Sequence, residues 1–193
     1  MSNHYRIDAP ADQIAFLMDA DVGSDPWSGG YMAPARFGPI VTGVRQRYLR
    51  PALWGFPPPP NADGNRLITN IRNLESPFWI GTLRHPELRC LVPVTQFQIW
   101  SGGKGAKTQH WFSLPSQPLF AFAGIWRDTG DMVHFAFIVT EPNALVEPIH
   151  DKGMPAILHA EDYDTWLRAD WKDAQRLITP FPSQLMTMRE GAV

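Results

Sequence analysis

A segment in the last quarter of the chain gathers side chains that can move protons. His150, Asp151 and Lys152 follow one another between Pro148 and Pro155. Histidine changes its charge near neutral pH, so it can accept or donate a proton during a reaction. Isolated histidines are more often hydrogen-bonded structural residues, and this segment alone leaves both interpretations of His150 open.

A second segment has the donors and acceptors needed to hold a phosphate or a sugar. In NIRN, residues 70–73, Asn70 and Asn73 flank the guanidinium of Arg72. A guanidinium makes two parallel hydrogen bonds to a phosphate, and amide side chains donate to phosphate and sugar oxygens. Four residues are a weak pattern, so the segment indicates a binding role only together with other features.

Positive charge is concentrated in one stretch of the chain. Arg36, Arg45, Arg47 and Arg50 fall within a stretch that contains no acidic residue, although the net charge of the whole chain is −2. That net charge argues against extensive non-specific DNA binding but leaves room for a local basic face. A face that is simply solvated explains the stretch equally well.

Several common site types are not predicted. The segment SGGKGAK at 101–107 lacks the spacing of a phosphate-binding loop, and we interpret it as a basic hairpin tip. The six histidines show no metal-binding spacing, and the single cysteine, Cys90, leaves no cysteine pair. We therefore expect no metal, no cofactor and no internal disulfide, with Cys90 as a buried core thiol.

Length and composition predict one globular unit. The 193 residues are 44% hydrophobic and 19% charged, which suits one domain over residues 1–193 with a sizeable core. No apolar run reaches the roughly 18 residues that cross a bilayer, and the N-terminus lacks the apolar core of a signal peptide. We expect a cytoplasmic protein that is not in a membrane.

Short strands outnumber helices in the predicted fold. The 19 prolines limit helix length, and helical spacing is confined to residues 10–20, 160–168 and 170–178. Strand-like strings are RCLVPVTQFQIW, HWFSL, LFAFAGIWRD and VHFAFIVTE. The sequence predicts an α+β, mainly β fold in which an antiparallel sheet curls into a barrel beside a few short helices.

The order of several segments resembles the SOS-response-associated peptidase (SRAP) family. These segments are MSNHY, LWGFPPPP, TNIRN, RCLVPVTQF, PLFAFAGIW, TEPNALVEPIHDKGMPAIL, DYDTWL and a late PFP. The likeness extends from residue 1 to about residue 185 and is specific because RCLVP, FAGIW, TEPN and the IH–MP block occur in register. It agrees with the mainly β fold expected from the strand patterns.

The resemblance implies a function in DNA damage. Members of this family bind single-stranded DNA that contains an abasic site, often beside a duplex junction. Their initiator methionine is removed, and the α-amine of a cysteine at position 2 forms a Schiff base with the sugar aldehyde. The thiol then closes a thiazolidine, which leaves a stable DNA–protein crosslink. The same nucleophile cleaves its own initiator peptide.

The resemblance assigns roles to individual residues unevenly. Asn70 and Arg72 match the family's asparagine and arginine, and His150 matches its proton-transfer histidine. Trp54 matches an aromatic that stacks on a base or wedges a junction, whereas Leu53 replaces the usual preceding arginine. We add the nearby or basic residues Asn3, Arg45 and Arg47 as candidate DNA contacts.

Two catalytic positions differ from the family pattern. Position 2 is Ser2 instead of cysteine, and Ile99 occupies the position of a catalytic glutamate. An α-amine with a pKa of roughly 7.7–8 can still attack an aldehyde, but a hydroxyl closes the ring poorly and the product hydrolyses readily. Loss of a general acid or base costs about 10²–10⁴-fold in rate. We therefore expect stable crosslinking to be lost.

Three hypotheses follow for the function. The favoured one is a monomeric SRAP-like protein of the SOS response that binds single-stranded or junction DNA and abasic sites reversibly. The second is a residual abasic-site lyase or autopeptidase, with Ser2, Asn70 and His150 as catalytic residues. The third is a pseudoenzyme retained as a protein-interaction module.

Overall fold

Fourteen strands and four short α-helices make up the regular structure. The computed structural model describes residues 4–60, 64, 66–103 and 106–191. Its strands are β1 (His4–Ile7), β2 (Ala20–Asp21), β3 (Gly30–Met32), β4 (Phe37–Thr42), β5 (Arg47–Trp54), β6 (Asn70–Ile71), β7 (Arg89–Val94), β8 (Gln96–Ser101), β9 (Thr108–Ser113), β10 (Phe120–Asp128), β11 (Val133–Thr140), β12 (Met154–Pro155), β13 (Ile157–Leu158) and β14 (Thr187–Glu190). Its α-helices are α1 (Ala11–Leu17), α2 (Pro77–Arg84), α3 (Tyr163–Arg168) and α4 (Trp171–Ala174).

Five strands close into a barrel. They pair in the order β11, β10, β7, β4 and β5, and β5 returns to β11 through a parallel pairing of Leu53 with His134 and Trp54 with Phe135. All other pairs in this ring are antiparallel. Closure leaves the ring without a free edge and buries the inward side chains of every strand. The curled antiparallel sheet predicted from the sequence is therefore confirmed as a barrel.

A second sheet lies against the barrel in the order β14, β9, β8, β1 and β3. The chain passes from one sheet to the other at Thr95, between β7 and β8. The Thr95 amide and hydroxyl both donate to the Arg6 carbonyl, at 2.8 and 3.0 Å, and the Asp8 amide donates to the hydroxyl at 3.1 Å. These bonds fix β1 where the chain leaves the barrel.

An aromatic side chain of β1 packs against aromatic side chains of the barrel strands. The Tyr5 ring of β1 lies 4.9 Å from that of Trp54, 6.1 Å from Phe122 and 6.2 Å from Phe137, measured between centroids. All four side chains are completely buried. Edge-on packing of this kind stabilises a core beyond the area that it buries. It also brings the start of β1 close to the end of β5 and the middle of β11.

The FAGIW and RCLVP segments pack closely against each other. A Cβ on Gly124 of the FAGIW segment would lie 2.7 Å from Val92 Cγ2 and 2.9 Å from Cys90 Sγ, both in the RCLVP segment. Only glycine lets β10 and β7 approach this closely. Burial raises the pKa of the Cys90 thiol, which is free and fully enclosed, as expected from the sequence.

The predicted elements are formed with changed boundaries. The string RCLVPVTQFQIW becomes the two strands β7 and β8, because the chain changes sheets at Thr95. The helical spacing at 10–20 gives only α1, and the two C-terminal segments give α3 and α4 with adjoining 3₁₀ turns. In the described part of the chain no helix has the length and apolar character needed to cross a membrane.

Candidate functional site

Asn70 lies on a two-residue strand at the outer side of β11. Its Cα partner is Phe137, in a parallel pairing. The side-chain amide donates from Nδ2 to Thr69 Oγ1 at 2.9 Å, which fixes the orientation of the group. Its Oδ1 is buried and accepts no hydrogen bond from the residues that the structure describes. A buried acceptor without a donor costs about 1–3 kcal/mol, so this oxygen is suited to receive a donor from a ligand or from the chain itself.

The beginning of the chain approaches Asn70 through Trp54. The indole Nε1 donates to the carbonyl of Thr69 at 3.0 Å, and the Tyr5 ring packs on the same indole. Strand β1 therefore begins beside the segment that carries Asn70. The candidate residues Ser2 and Asn3 lie outside the described residues, so their roles stay predictions.

His150 ends a series of turns that a buried asparagine organises. Asn143, in the TEPN segment, accepts hydrogen bonds from the amides of Leu145 and Val146 at 3.1 and 3.0 Å. Its Nδ2 donates to the Phe181 carbonyl at 2.6 Å, which ties the turns to the late PFP segment. The His150 amide then donates to the Val146 carbonyl at 2.9 Å. Asn143 thus positions His150 although sequence reasoning gave it no role.

Arg72 and His150 lie at the same end of β11. A Cβ on Gly153 would lie 3.0 Å from Arg72 Nη2 and 2.4 Å from the Thr140 carbonyl oxygen, and Gly153 has a φ of +124°. The glycine is therefore required for the guanidinium to approach the IH–MP segment. Burial lowers the pKa of His150; positive Lys152 and Arg72 lower it too, whereas Asp151 raises it. The half-buried imidazole is consequently neutral near pH 7, in the form that accepts a proton.

Ile99, the residue that the sequence analysis matched to the family's acid, has a fully buried aliphatic side chain. It lies on β8 directly opposite His110 of β9. The site therefore has no carboxylate at position 99. Asn70 lies beside Phe137, and Arg72 lies near Gly153 and the end of β11, so the structure places these residues and the IH–MP segment along the C-terminal half of that strand.

Trp54 is a core residue in this structure. Its side chain has no exposed surface and packs against Tyr5, Phe135 and Phe137. A ring enclosed in this way offers no face to a DNA base, so the stacking expected from the sequence is not available in this conformation. Its observed contacts instead hold Thr69 and β1 beside Asn70.

Arg45 and Arg47 lie away from Asn70. Arg47 begins β5 and Trp54 ends it, a separation of roughly 23 Å at about 3.3 Å per residue. The Arg47 guanidinium donates to Asp164 and to the Met18 carbonyl, both at 2.7 Å. Arg45 is exposed and lines a surface cavity of about 450 Å³. Their DNA contacts stay predictions, and they concern a surface separate from the Asn70 end.

An aromatic pocket that the sequence analysis missed lies beside β1. Trp27, Tyr31, Arg36 and Phe37 line this cavity of about 370 Å³. Tyr31 stacks on His4 at the start of β1, with ring centroids 5.2 Å apart and an interplanar angle of 20°. Arg36 and Phe37 are exposed at its rim. The signal in the sequence was the group of aromatics around a glycine pair, and its spacing fits neither helix nor strand.

One wall of the aromatic pocket contains buried polar atoms. Asp25 Oδ1 accepts from the Trp27 amide at 2.9 Å, whereas Asp25 Oδ2 and Trp27 Nε1 are enclosed without partners among the described residues. Burial raises the pKa of Asp25.

In the described ranges, no group of three or more His, Cys, Asp or Glu side chains could hold a metal ion.

Comparison with known proteins identifies a family and several relatives. A family model described as "SOS response associated peptidase (SRAP)" matches residues 1–191. The Bacillus subtilis proteins named abasic site processing protein YoqW and YoaM are 33% identical over 107 and 85 residues, respectively. These stretches cover 51% and 41% of this chain, and 47% and 37% of the relatives. The chain thus spans about half the length of the curated relatives it matches, or less.

Solved structures share the fold at low sequence identity. A crystal structure of a Bacteroides thetaiotaomicron protein is 22% identical with a TM-score of 0.82, covering 97% of this chain and 91% of that one. A Bordetella bronchiseptica protein is 17% identical with a TM-score of 0.81 over the full length of both chains. At these identities the likeness concerns the fold.

Proposed function

This chain belongs to the SRAP family, and from that premise we propose that it recognises abasic sites in single-stranded DNA without forming the family's stable crosslink. The observation that carries the proposal is the cluster of Asn70, Arg72 and His150 at one end of β11. Two curated relatives are named abasic site processing proteins. We place this activity in the SOS response in the cytoplasm, with a monomer acting on single-stranded or junction DNA.

Each member of the cluster has a chemical task in this proposal. The buried Asn70 Oδ1, which lacks a donor among the described residues, accepts from an amine or a sugar hydroxyl. Arg72 is exposed and binds a phosphate next to the lesion. His150 has a lowered pKa, so at neutral pH it accepts a proton from the attacking amine or from the sugar.

We propose no stable crosslink because the chain lacks the two groups that form it, a thiol at position 2 and an acid at position 99. Ser2 provides a hydroxyl instead of a thiol for ring closure, and Ile99 provides no proton carrier. An imine formed by the α-amine then remains open to hydrolysis. Recognition is therefore reversible.

The aromatic pocket supports single-stranded DNA as the ligand. Tyr31 and Phe37 offer rings for stacking on unpaired bases, and the exposed Arg36 offers a charge for the backbone. Arg36 forms no ion pair with any residue in the described ranges. A duplex keeps its bases stacked inside, so this pocket favours the single strand.

Fluorescence anisotropy in low salt tests the preference for single strands. We expect labelled single-stranded DNA with an abasic site to bind more tightly than the matched duplex, because only the single strand exposes its bases. Low salt is used because phosphate contacts are strongest in low salt. Arg72→Ala should weaken binding about tenfold, whereas Arg176→Ala, which changes an exposed arginine paired with Asp173, should leave it unchanged. Equal affinity for single strand and duplex would contradict the proposal.

Retention of Asn70 and His150 favours a second candidate, a residual abasic-site lyase. An imine at the sugar makes a neighbouring proton acidic, and His150 would remove it to break the strand by β-elimination. Borohydride reduces such an imine to a permanent bond. A reduced DNA–protein complex together with strand breaks would establish the lyase, and neither product forms if binding alone survives.

A further inference from the structure

A serine, a histidine and a carboxylate lie in line across three strands of the second sheet. Ser101 Oγ is 2.6 Å from His110 Nε2, and His110 Nδ1 is 3.8 Å from Glu190 Oε1. His110 is nearly buried, with 5% of its surface exposed, whereas Ser101 is half-buried and the Glu190 side chain is 65% exposed. The buried imidazole is therefore at the centre of the row, and both of its neighbours reach the surface.

The pairing of the strands places the three side chains on one face. His110 of β9 pairs directly with Ile99 of β8 and with Glu190 of β14, so these three positions share a side of the sheet. Ser101 is two residues beyond Ile99 on β8 and points to that same side. The row thus results from sheet register, and it stands beside the position where the family acid is missing.

The two ring nitrogens of His110 have different surroundings. Nδ1 is enclosed and has no hydrogen-bond partner in the described part of the chain, and Glu190 is the acid that faces it. A carboxylate on that side favours the tautomer with hydrogen on Nδ1, which leaves Nε2 free to accept the Ser101 hydroxyl proton. A serine hydroxyl bonded to a histidine whose other nitrogen faces a carboxylate has the order of groups found in an activated serine.

Two exposed glycines, Gly102 and Gly103, follow Ser101. Gly102 has a φ of +83°, and a Cβ there would lie 2.1 Å from the Ala106 carbonyl oxygen, so position 102 requires glycine. The amides of Gly102 and Gly103 donate to no backbone carbonyl among the described residues. Backbone amides next to a nucleophilic serine can receive the negative oxygen that develops on an attacked carbonyl.

We propose that Ser101, His110 and Glu190 form an acyl-transfer site that acts on carboxylic esters or amides. Ser101 Oγ bonds to the carbonyl carbon while its proton moves to His110 Nε2. The bond to the leaving alcohol or amine breaks, and that group takes the proton from His110. Water then attacks the acyl-serine, gives a proton to His110, and releases the acid as Ser101 regains its hydrogen.

A fluorophosphonate probe tests this site on the intact protein. The serine oxygen displaces fluoride from phosphorus, and mass spectrometry of tryptic peptides locates the adduct. We expect the peptide containing Ser101 to be labelled at least about 100-fold faster than the peptide containing Ser113, whose hydroxyl bonds to Thr187 Oγ1 at 3.0 Å and to no histidine in the described ranges. Ser113 lies on the same hairpin, so it is a control within the same folded molecule.

Variants then connect the reactivity to the row of side chains. His110→Gln should slow labelling of Ser101 by about 10²–10⁴-fold, and the surface change Glu190→Gln should slow it by a smaller factor. Ser101→Ala should remove the adduct. Ser101 labelled no faster than Ser113 would overturn the proposal, as would labelling that His110→Gln leaves unchanged in a folded protein. Because no DNA is used, the result is independent of abasic-site recognition.

Discussion

At the scale of single residues, the proposal of binding without a stable crosslink depends on the buried isoleucine at position 99. Ile99 has no exposed surface and belongs to the apolar core, whereas Asn70, Arg72 and His150 keep polar groups at the end of β11. In the proposed function, these three residues recognise the lesion reversibly because no acid accompanies them. The loss at position 2 is consistent with this division, because a serine hydroxyl closes the ring poorly.

Restoring both lost groups tests this division directly. We expect Ser2→Cys combined with Ile99→Glu to give a crosslink to abasic single-stranded DNA that survives heat denaturation. The thiol closes the ring, and the acid restores about 10²–10⁴-fold in rate. Gel electrophoresis after boiling measures the product.

Matched controls separate the two substitutions. Ser2→Cys alone should crosslink slowly, and Ile99→Glu alone should not crosslink. Because the new carboxyl enters an enclosed site, Ile99→Glu should also lower the melting temperature, which circular dichroism records. A double variant that folds but forms no boiled-stable product would show that the remaining cluster does not bind the lesion productively.

The residue types in the cluster were predictable, but their surroundings were not. Segment order alone pointed to Asn70, Arg72 and His150, which the fold brings to one end of β11. Trp54 was different, because a motif does not tell whether an aromatic ring faces solvent or the barrel interior. Its burial follows from barrel closure, which pairs Trp54 with Phe135 across a long separation in the chain.

At the scale of elements, the contact between β7 and β10 has almost no free space. Gly124 on β10 faces Cys90 and Val92 of β7, both completely buried. The two strands are adjacent in the barrel. Any volume added at Gly124 must therefore displace Cys90 and Val92. Protein cores with this packing density respond to even one additional methyl group.

Gly124→Ala should therefore destabilise the fold, and Gly81→Ala is its matched control. Overpacking costs about 1–3 kcal/mol, and we expect that loss for Gly124→Ala in urea denaturation. Gly81 is exposed within α2, and a Cβ there meets no atom within 4 Å. Gly81→Ala should stabilise the protein by about 0.5–1 kcal/mol through helix propensity. Equal effects of the two changes would contradict the packing argument.

Strand existence was predictable where apolar runs were long, and helix α2 was not predicted. The strings that became β9, β10 and β11 have the length and apolar content of buried strands. Helix α2 begins with signals that were present in the sequence: Pro77 at its first position and Ser76, whose side chain accepts a hydrogen bond from the Phe78 amide. Its eight residues include Trp79 and Gly81, which weaken helical periodicity.

At the scale of the whole molecule, long-range pairings determine the fold. The parallel contact of β5 with β11 joins residues about eighty positions apart, and local patterns contain no information on such pairs. Composition predicted the class because proline-punctuated apolar runs fit an antiparallel barrel. We propose that the chain is a single domain, since one apolar cluster includes residues of β1, the barrel strands and α3.

The affinity for a lesion relative to an intact base measures abasic-site recognition itself. Anisotropy would compare two single strands of identical sequence, one with an abasic site and one with its base. We predict that the protein binds the abasic strand about tenfold or more tightly, and that Asn70→Ala removes this preference while retaining affinity for the intact strand. One lost hydrogen bond of about 1–1.5 kcal/mol accounts for that factor. Equal affinity of the unaltered protein for both strands would contradict the account.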